Sequence, residues 1–241
     1  MPRPATPSTT AAPLLSARSV VLSMLLGSHP DRLSSAQLTR AGTFFDIPVP
    51  TLRVALTRAV SSGDLLREDG DYVLGQRLLA RQRRQDEAVE DAEGDWAGDW
   101  EMAVVVVTGR PGSERAALRD TLAAARLAEL REGVWTRPDN LRRPPVNDPV
   151  LSTFSARPDD PAALTDQLWD LTDWASRGRA LLERLTQRDS PARRLATAAE
   201  LVRHLTTDPL LPVSLLPADW PGRELRTAYA AYQAELRELT H

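Results

Sequence analysis

The sequence predicts a mixed α+β protein, mainly helical, that is built from three consecutive parts. Residues 16–75 combine short amphipathic helical patterns with an alternating pattern around an Asp-Gly turn. Residues 102–107 form the continuous apolar run MAVVVV, which is typical of a buried strand. Beyond Pro161, helical patterns dominate and are interrupted only by the proline-rich segment DPLLPVSLLPADWPG.

The first part is predicted to begin with three short helices. We predict these helices at residues 16–26, from Ser34 or Ser35 to 41, and at 51–62. Gly27 and Gly63 end the first and third, and a serine caps the second. Pro48 and Pro50 permit only a helix start, because an interior proline removes a backbone hydrogen bond.

A hairpin and a polar helix complete this part of the chain. Residues 64–67 and 72–74 alternate around the turn EDGD, which predicts two antiparallel strands. Residues 76–89 then predict a linking helix or dimer strut. Three helices followed by a β-ribbon are the order of a winged helix-turn-helix, which we assign to residues 16–93.

The polar face of the third helix is predicted to contact DNA. Its apolar residues fall on one side, and the other side carries the predicted contact residues Thr51, Arg53, Thr57, Arg58 and Ser61. A guanidinium can reach phosphates or take a guanine through O6 and N7. Arg67 of the wing is a weaker candidate, because acidic residues surround it. The alternative is that all of these are solvated positions on an amphipathic helix.

The charge distribution is compatible with that interpretation. Residues 1–85 hold eleven arginines against six acidic residues, whereas residues 86–241 hold nineteen arginines against 27 acidic residues. A basic module on an acidic body suits binding a polyanion at one end. All 30 basic residues are arginines, for which genomic codon bias is the simpler explanation. Arg81, Arg83 and Arg84 on the linking helix either steer towards phosphates or form a solvated face.

The middle part, residues 94–158, predicts a small ferredoxin-like domain. We predict a strand at 102–107 buried on both faces, a helix at 113–131, and strands at 133–136 and 150–155. The C-terminal part, residues 159–241, is predicted to be helical over 162–188, 192–205 and 223–239. The intervening segment DPLLPVSLLPADWPG cannot be regular helix because of its prolines.

Composition excludes several classes of protein. Cysteine is absent, so neither disulfides nor thiolate metal sites are possible. No apolar run approaches the roughly 18 residues that span a bilayer. The Pro/Thr/Ala-rich residues 1–15 lack the apolar core of a secretory signal. We therefore expect a disordered tail there and a cytoplasmic location.

Five segments are distinctive when taken together: SARSVVLSMLLG, TLRVALTRAVSSGDLLRE, WEMAVVVV, GVWTRPDNL and DPLLPVSLLPADWPG. This combination resembles the PaaX family, the phenylacetate-operon repressors of bacteria. The resemblance implies a homodimeric repressor with a winged helix, a Cas2-like middle domain and a helical C-terminal domain. It further implies a palindromic double-stranded DNA operator, and release from it by an aryl-CoA thioester, typically phenylacetyl-CoA.

The resemblance directs attention to candidate effector contacts. Trp135 is a candidate for the wall of an aromatic-acyl pocket, although most tryptophans are core residues. Arg142 and Arg143, in the following proline-rich loop, are candidates for the phosphates of CoA. The loop at 108–113 could hold an anion, but it lacks the Gly-Lys-Ser/Thr ending of a P-loop, and a plain turn is the better interpretation.

No catalytic residue, metal or cofactor is predicted. Nucleases related to the middle domain carry a carboxylate after the first strand, where this chain has Thr108 and Gly109. Glu200 and His204 are spaced like metal ligands, but a surface pair is the simpler interpretation. The alternatives to a repressor are a CoA-ester hydrolase or degenerate nuclease with a DNA-binding head, and a scaffold that contacts only proteins.

Overall fold

The computed structural model describes residues 15–90 and 92–238, which form two compact units. In its described part, unit 1 takes residues 15–86, 181–203 and 226–238, and unit 2 takes the rest. The predicted tail lies outside the described residues except for Leu15. The helices after residue 159 contribute to both units, and the predicted domain boundaries stay a prediction.

Unit 1 opens with three helices and a three-stranded sheet. Its elements are α1 (Ala17–Leu26), β1 (Arg32–Leu33), α2 (Ser35–Phe44), α3 (Val49–Ser61), β2 (Leu65–Glu68), β3 (Asp71–Leu74) and α4 (Gln76–Val89, within unit 1 to Asp86). The strand order is β1-β3-β2, antiparallel throughout. The two-residue strand β1 was not predicted, because so short a strand carries no readable alternation.

The helix ends of unit 1 follow local side-chain chemistry. Ser34 caps α2 by accepting a hydrogen bond from the Gln37 backbone, and the Gln37 side chain accepts one from the Ser34 N–H at 2.8 Å. Pro48 precedes α3 and Pro50 lies in its first turn, as predicted. Val20, Val21, Met24 and Leu25 of α1 are buried against the neighbouring helices.

Unit 2 contains a four-stranded antiparallel sheet covered by one helix. Its elements are β4 (Trp100–Val105), α5 (Gly112–Ala124), β5 (Ala128–Arg131), β6 (Val134–Pro138) and β7 (Leu151–Ala156), in the order β5-β6-β4-β7. Leu118 and Leu122 of α5 pack with Ala103, Leu127 and Trp135 in a buried core. Helix α5 connects β4 to β5, and β6 lies between these two strands in the sheet. This arrangement is that of a ferredoxin-like sheet.

Two predictions for this sheet are wrong. The predicted helix 113–131 ends at Ala124, because Arg126 has a positive φ of 67° and the chain turns into β5. Pairing with β6 overrides the helical propensity of AARLAEL. The strand predicted at 102–107 stops at Val105, and Val106 and Val107 are exposed rather than buried.

The C-terminal helices also depart from prediction at one point. They are α6 (Pro161–Leu168), α7 (Leu171–Thr186), α8 (Pro191–Leu205) and α9 (Gly222–Glu238), with a short 3₁₀ turn at Val213–Leu215. The helix predicted over 162–188 is broken at Trp169, which is extended. Asp170 accepts a hydrogen bond from the Asp173 N–H at 2.9 Å and so starts α7. No helix in the described ranges is long and apolar enough to cross a membrane.

A fully buried arginine fastens the proline-rich segment of unit 2. Arg137 on β6 donates to the carbonyls of Pro138 (2.9 Å) and Leu210 (2.9 Å) and to Oδ1 of Asn140 (2.8 Å). Asn140 also donates to the Leu210 carbonyl at 3.0 Å. Burial lowers the pKa of Arg137 to about 9, so the guanidinium stays charged at neutral pH. Backbone dipoles, rather than a bonded carboxylate, stabilise this charge.

We expect Arg137→Leu to destabilise the protein by about 3 kcal/mol, because it leaves buried carbonyls without donors. Urea denaturation followed by tryptophan fluorescence measures the loss. The matched control is Arg177→Leu, an exposed arginine paired with Asp173 on its own helix, which should leave the midpoint unchanged. Equal midpoints for the two variants would contradict the anchoring role of Arg137.

Candidate nucleic-acid interface

A tight turn joins α2 to α3. Asp46 has a positive φ of 54°, and the Ile47 N–H donates to the Gly42 carbonyl at 2.8 Å. A Cβ at Gly42 would lie 3.1 Å from Leu52, so the glycine lets the two helices approach closely. The turn therefore fixes the angle at which α3 leaves the helical core.

The outer face of α3 is exposed along its length. Leu52, Ala55, Leu56 and Ala59 are buried on its inner side. The predicted contact residues Thr51, Arg53, Thr57, Arg58 and Ser61 are all exposed, together with Val54. Within the described residues, the guanidinium groups of Arg53 and Arg58 form no ion pair and no hydrogen bond. This face presents two uncommitted guanidinium groups to solvent.

The hydroxyl groups on the same face are partly committed to the helix. Thr57 donates to the Arg53 carbonyl at 3.0 Å, and Ser61 donates to the Thr57 carbonyl at 2.9 Å. Their oxygens keep lone pairs that can accept hydrogen bonds from a ligand. The two hydroxyls are therefore available as acceptors rather than donors, unless their rotamers change.

A buried carboxylate holds the end of α3 in place. Asp64 is 2% exposed and accepts hydrogen bonds from Ser62 (2.7 Å), from Arg18 of α1 and from Arg77 of α4. We call these four residues the Asp64 cluster. Hydrogen bonds from Ser62 and from the two guanidinium groups hold the pKa of Asp64 below its ordinary value against the opposing effect of burial.

The backbone around this cluster is equally constrained. The Asp64 carbonyl accepts from the Gly75 N–H at 2.7 Å, and a Cβ at Gly75 would lie 2.2 Å from the Gly63 carbonyl. Gly75 therefore permits the start of α4 to pass directly over the turn that follows α3. The sequence analysis missed Asp64, Arg18 and Gly75 as determinants of the site, because their contacts join residues far apart in sequence.

Arg67 lies on strand β2 of the hairpin β2–β3 in unit 1. Arg67 is exposed, lies 5.0 Å above the Tyr72 ring and donates to the Gly70 carbonyl at 3.1 Å. Arg32 of β1, which the sequence analysis did not single out, lies 3.4–3.8 Å from carboxylates of Glu68, Asp69 and Asp71. Arg32 thus offsets part of the acidic charge at the hairpin tip.

The arginines of α4 are not equivalent. Arg83 and Arg84 are exposed, whereas Arg81 is half-buried. Burial lowers the pKa of Arg81, and the neighbouring Arg203 and Arg84 lower it further. The three arginines of α4 therefore concentrate positive charge in unit 1. Steering towards phosphates and a solvated helix face both stay predictions for them.

The three candidate effector residues have different surroundings in unit 2. Trp135 is 6% exposed and packs in the core under α5, with one side on a cleft. Arg143 binds the buried Glu101 through both carboxylate oxygens (2.8 and 3.4 Å) and donates to the Ala125 carbonyl. Arg142 is exposed. Neither arginine lines the cleft beside Trp135.

The residues with metal-like spacing engage other groups. Glu200 pairs with Arg184 at 2.9 Å. His204 stacks on Trp174 at 4.2 Å between ring centroids, and burial lowers its pKa. Among the described residues, no group of three His, Asp or Glu side chains is arranged to hold a metal ion.

Comparisons with known proteins identify the family. Residues 93–148 match the model of the PaaX protein central Cas2-like domain, and residues 164–241 match the PaaX-like protein C-terminal domain. A solved structure of the uncharacterised protein Rv0674 from Mycobacterium tuberculosis is 46% identical, with a TM-score of 0.80. The match covers 93% of this chain and 97% of that one. No curated protein matches.

The chain therefore belongs to the PaaX family. The predicted resemblance is confirmed, and so is a Cas2-like middle domain within a mixed α+β fold. Membership of this family supports a role in transcription regulation rather than catalysis.

We expect Asp64→Asn to lower the free energy of unfolding by about 2 kcal/mol at neutral pH, since charged hydrogen bonds to the cluster are lost. Because the pKa of Asp64 is lowered in the folded state, its contribution is present above about pH 4 and is lost as pH falls further. The stability difference between wild type and variant should therefore shrink in acid, as measured by thermal unfolding from pH 7 to pH 3.

The control is Asp173→Asn, which removes an exposed carboxylate paired only with Arg177 among the described residues. This variant should follow the wild-type pH profile. A constant difference between wild type and Asp64→Asn across the whole range would show that the carboxylate charge does not stabilise unit 1.

Proposed function

We propose that this protein is a DNA-binding transcriptional repressor of the PaaX type. In this proposal residues 16–93 act as a winged helix with its linking helix, and the protein binds a palindromic operator as a homodimer in the cytoplasm. An aryl-CoA thioester such as phenylacetyl-CoA releases it from the operator. The observation that carries the proposal is the exposed face of α3, on which the guanidinium groups of Arg53 and Arg58 have no partner within the described chain.

The dimensions and chemistry of α3 suit the major groove. An α-helix with its side chains is about 10–12 Å wide, and the groove is about 12 Å wide. Arg53 and Arg58 can each present two donors to guanine O6 and N7, or bind phosphates. Val54, which is 50% exposed between them, can contact a thymine methyl group. Thr51, Thr57 and Ser61 add hydrogen-bonding groups along the same face.

The hairpin supports a second point of contact. Arg67 is held over Tyr72 rather than paired with a neighbouring acid, so its guanidinium keeps donors for a phosphate. Neutralisation of the hairpin acids by Arg32 reduces the repulsion that those acids would exert on DNA. Two such units in a homodimer would read half-sites about one helical turn apart.

Release by an effector follows from linkage. A thioester can weaken DNA binding only by the factor by which it binds more tightly to a conformation whose two α3 helices have the wrong spacing for the operator. Its binding must also be weakened by operator DNA by the same factor. The family resemblance supports an aryl-CoA as this ligand.

We expect Arg53→Ala and Arg58→Ala each to weaken binding to a selected duplex by about 1–3 kcal/mol. If either arginine contacts a phosphate, the slope of log K against log salt should fall by about one. Fluorescence anisotropy measures both quantities, on duplexes selected by the protein from a random pool. Selected sequences with two-fold symmetry would support the homodimer.

The control for these variants is Arg193→Ala, an exposed arginine of α8 paired with Asp189. It should bind DNA as the wild type does. Unchanged affinity and unchanged salt slope for the Arg53→Ala, Arg58→Ala double variant would falsify the assignment of α3 as the reading helix.

We expect phenylacetyl-CoA to raise the melting temperature and to lower affinity for the selected duplex. At a ligand concentration 100-fold above its dissociation constant, linkage predicts a stabilisation of about 2.7 kcal/mol. Thermal-shift and anisotropy assays measure these effects, with acetyl-CoA and free CoA as controls for the acyl group. If no CoA ester changes either quantity, the effector part of the proposal is wrong.

A further inference from the structure

A cleft in unit 2 has the composition of a binding site for an organic phosphate. It has a volume of about 750 Å³ and is lined by the loop that follows β4, by α5 and by the β5–β6 hairpin. This volume is within the range of small-molecule pockets, about 300–1,000 Å³. From the sequence, the loop at 108–113 is interpreted as a plain turn, because it lacks the Gly-Lys-Ser/Thr ending of a P-loop; in the structure, arginines of α5 line the same cleft as this loop.

Three arginines line this cleft. Arg110 comes from the loop, and Arg115 and Arg119 lie one helical turn apart on α5, so their side chains share a face. Glu129 and Glu132 also line the cleft, which leaves the lining with an excess of one positive charge. Arg119 lies 3.7 Å from Glu129, whereas Arg115 is exposed and has no partner among the described residues.

Arg110 is the most constrained of the three. Its side chain is only 13% exposed, and its buried Nε forms no hydrogen bond, although the Glu114 carboxylate lies 3.5 Å away. Glu114 is 56% exposed, so it can turn into solvent and leave the guanidinium to another anion. A buried donor without a hydrogen bond is costly, and an anionic ligand in the cleft would remove that cost.

The base of the cleft is apolar. Val105 of β4, Leu118 of α5 and Trp135 of β6 line it, and Leu118 and Trp135 are otherwise buried in the core. A ligand that satisfies the whole lining therefore combines anionic oxygens with an apolar group. A free inorganic ion would leave the apolar surface wet, and a duplex backbone would not reach a Trp side chain buried under α5.

We propose that this cleft binds a phosphorylated small molecule carrying an apolar or aromatic group, with Arg110 and Arg115 on the phosphate. That this ligand is the effector of the repressor rests on the proposed function. That the cleft binds an organic phosphate does not. CoA and its aryl thioesters are one source of this chemistry, and nucleotides are another.

Isothermal titration of the full chain tests the proposal, with CoA, phenylacetyl-CoA, ATP, inorganic phosphate and phosphate-free pantetheine as ligands at fixed ionic strength. We expect at least one of the organic phosphates to bind and pantetheine not to bind. Arg110→Ala and Arg115→Ala should each weaken that binding about tenfold, the loss of a charged hydrogen bond. Arg177→Ala, an exposed arginine outside the cleft, is the matched control and should bind normally.

Arg115 is exposed and unpaired within the described chain, so Arg115→Ala keeps the test valid if Arg110→Ala fails to fold. If phenylacetyl-CoA binds to Arg115→Ala as tightly as to the wild type, the cleft is not its binding site. The proposed function would then survive, with the effector bound elsewhere. If only inorganic phosphate binds, or if no ligand binds, the claim that the cleft takes an organic phosphate is wrong. A loss of duplex affinity in Arg115→Ala without any loss of small-molecule binding would assign the cleft to DNA and also overturn it.

Discussion

The position of the exposed face of α3 depends on the buried carboxylate of Asp64. This one group bonds Arg18 of α1, Ser62 at the end of α3 and Arg77 of α4. A carboxylate that is 2% exposed is stable in a protein only when its oxygens are bonded, and the Asp64 cluster meets that requirement from three helices. The direction of α3, and hence of Arg53, follows from this arrangement.

In unit 2 the buried charge is a cation, the Arg137 guanidinium, and backbone carbonyls surround it. Arg137 and Asn140 on and after β6 converge on the Leu210 carbonyl, and Leu210 itself adopts a positive φ of 52°. The motifs GVWTRPDNL and DPLLPVSLLPADWPG, which carried the family resemblance, are therefore in direct contact. Arg137 and Asn140 of the first motif and Leu210 of the second meet in one hydrogen-bond network, since a charged donor needs several acceptors at fixed positions.

Each proposed binding surface includes at least one arginine whose guanidinium group forms no ion pair within the described chain. Many guanidinium groups in the described ranges pair with carboxylates, as Arg143 does with Glu101 and Arg179 does with Asp219. Arg53 and Arg58 are exceptions in unit 1, and Arg115 is one in unit 2. In a chain whose basic residues are all arginines, the absence of a partner distinguishes candidate ligand contacts from structural ion pairs better than the residue type does.

Amphipathic periodicity, prolines and glycines by themselves determined the helices of unit 1, the hairpin and the exposed face of α3. These are local properties, because the spacing of apolar residues decides which side of a helix is buried. Only the tertiary structure decided that the segment after Ala124 is a strand, that Arg143 is committed to Glu101, and that Arg110 and Arg115 share a cleft. Those features arise from pairing and packing between residues distant in sequence, which no local pattern encodes.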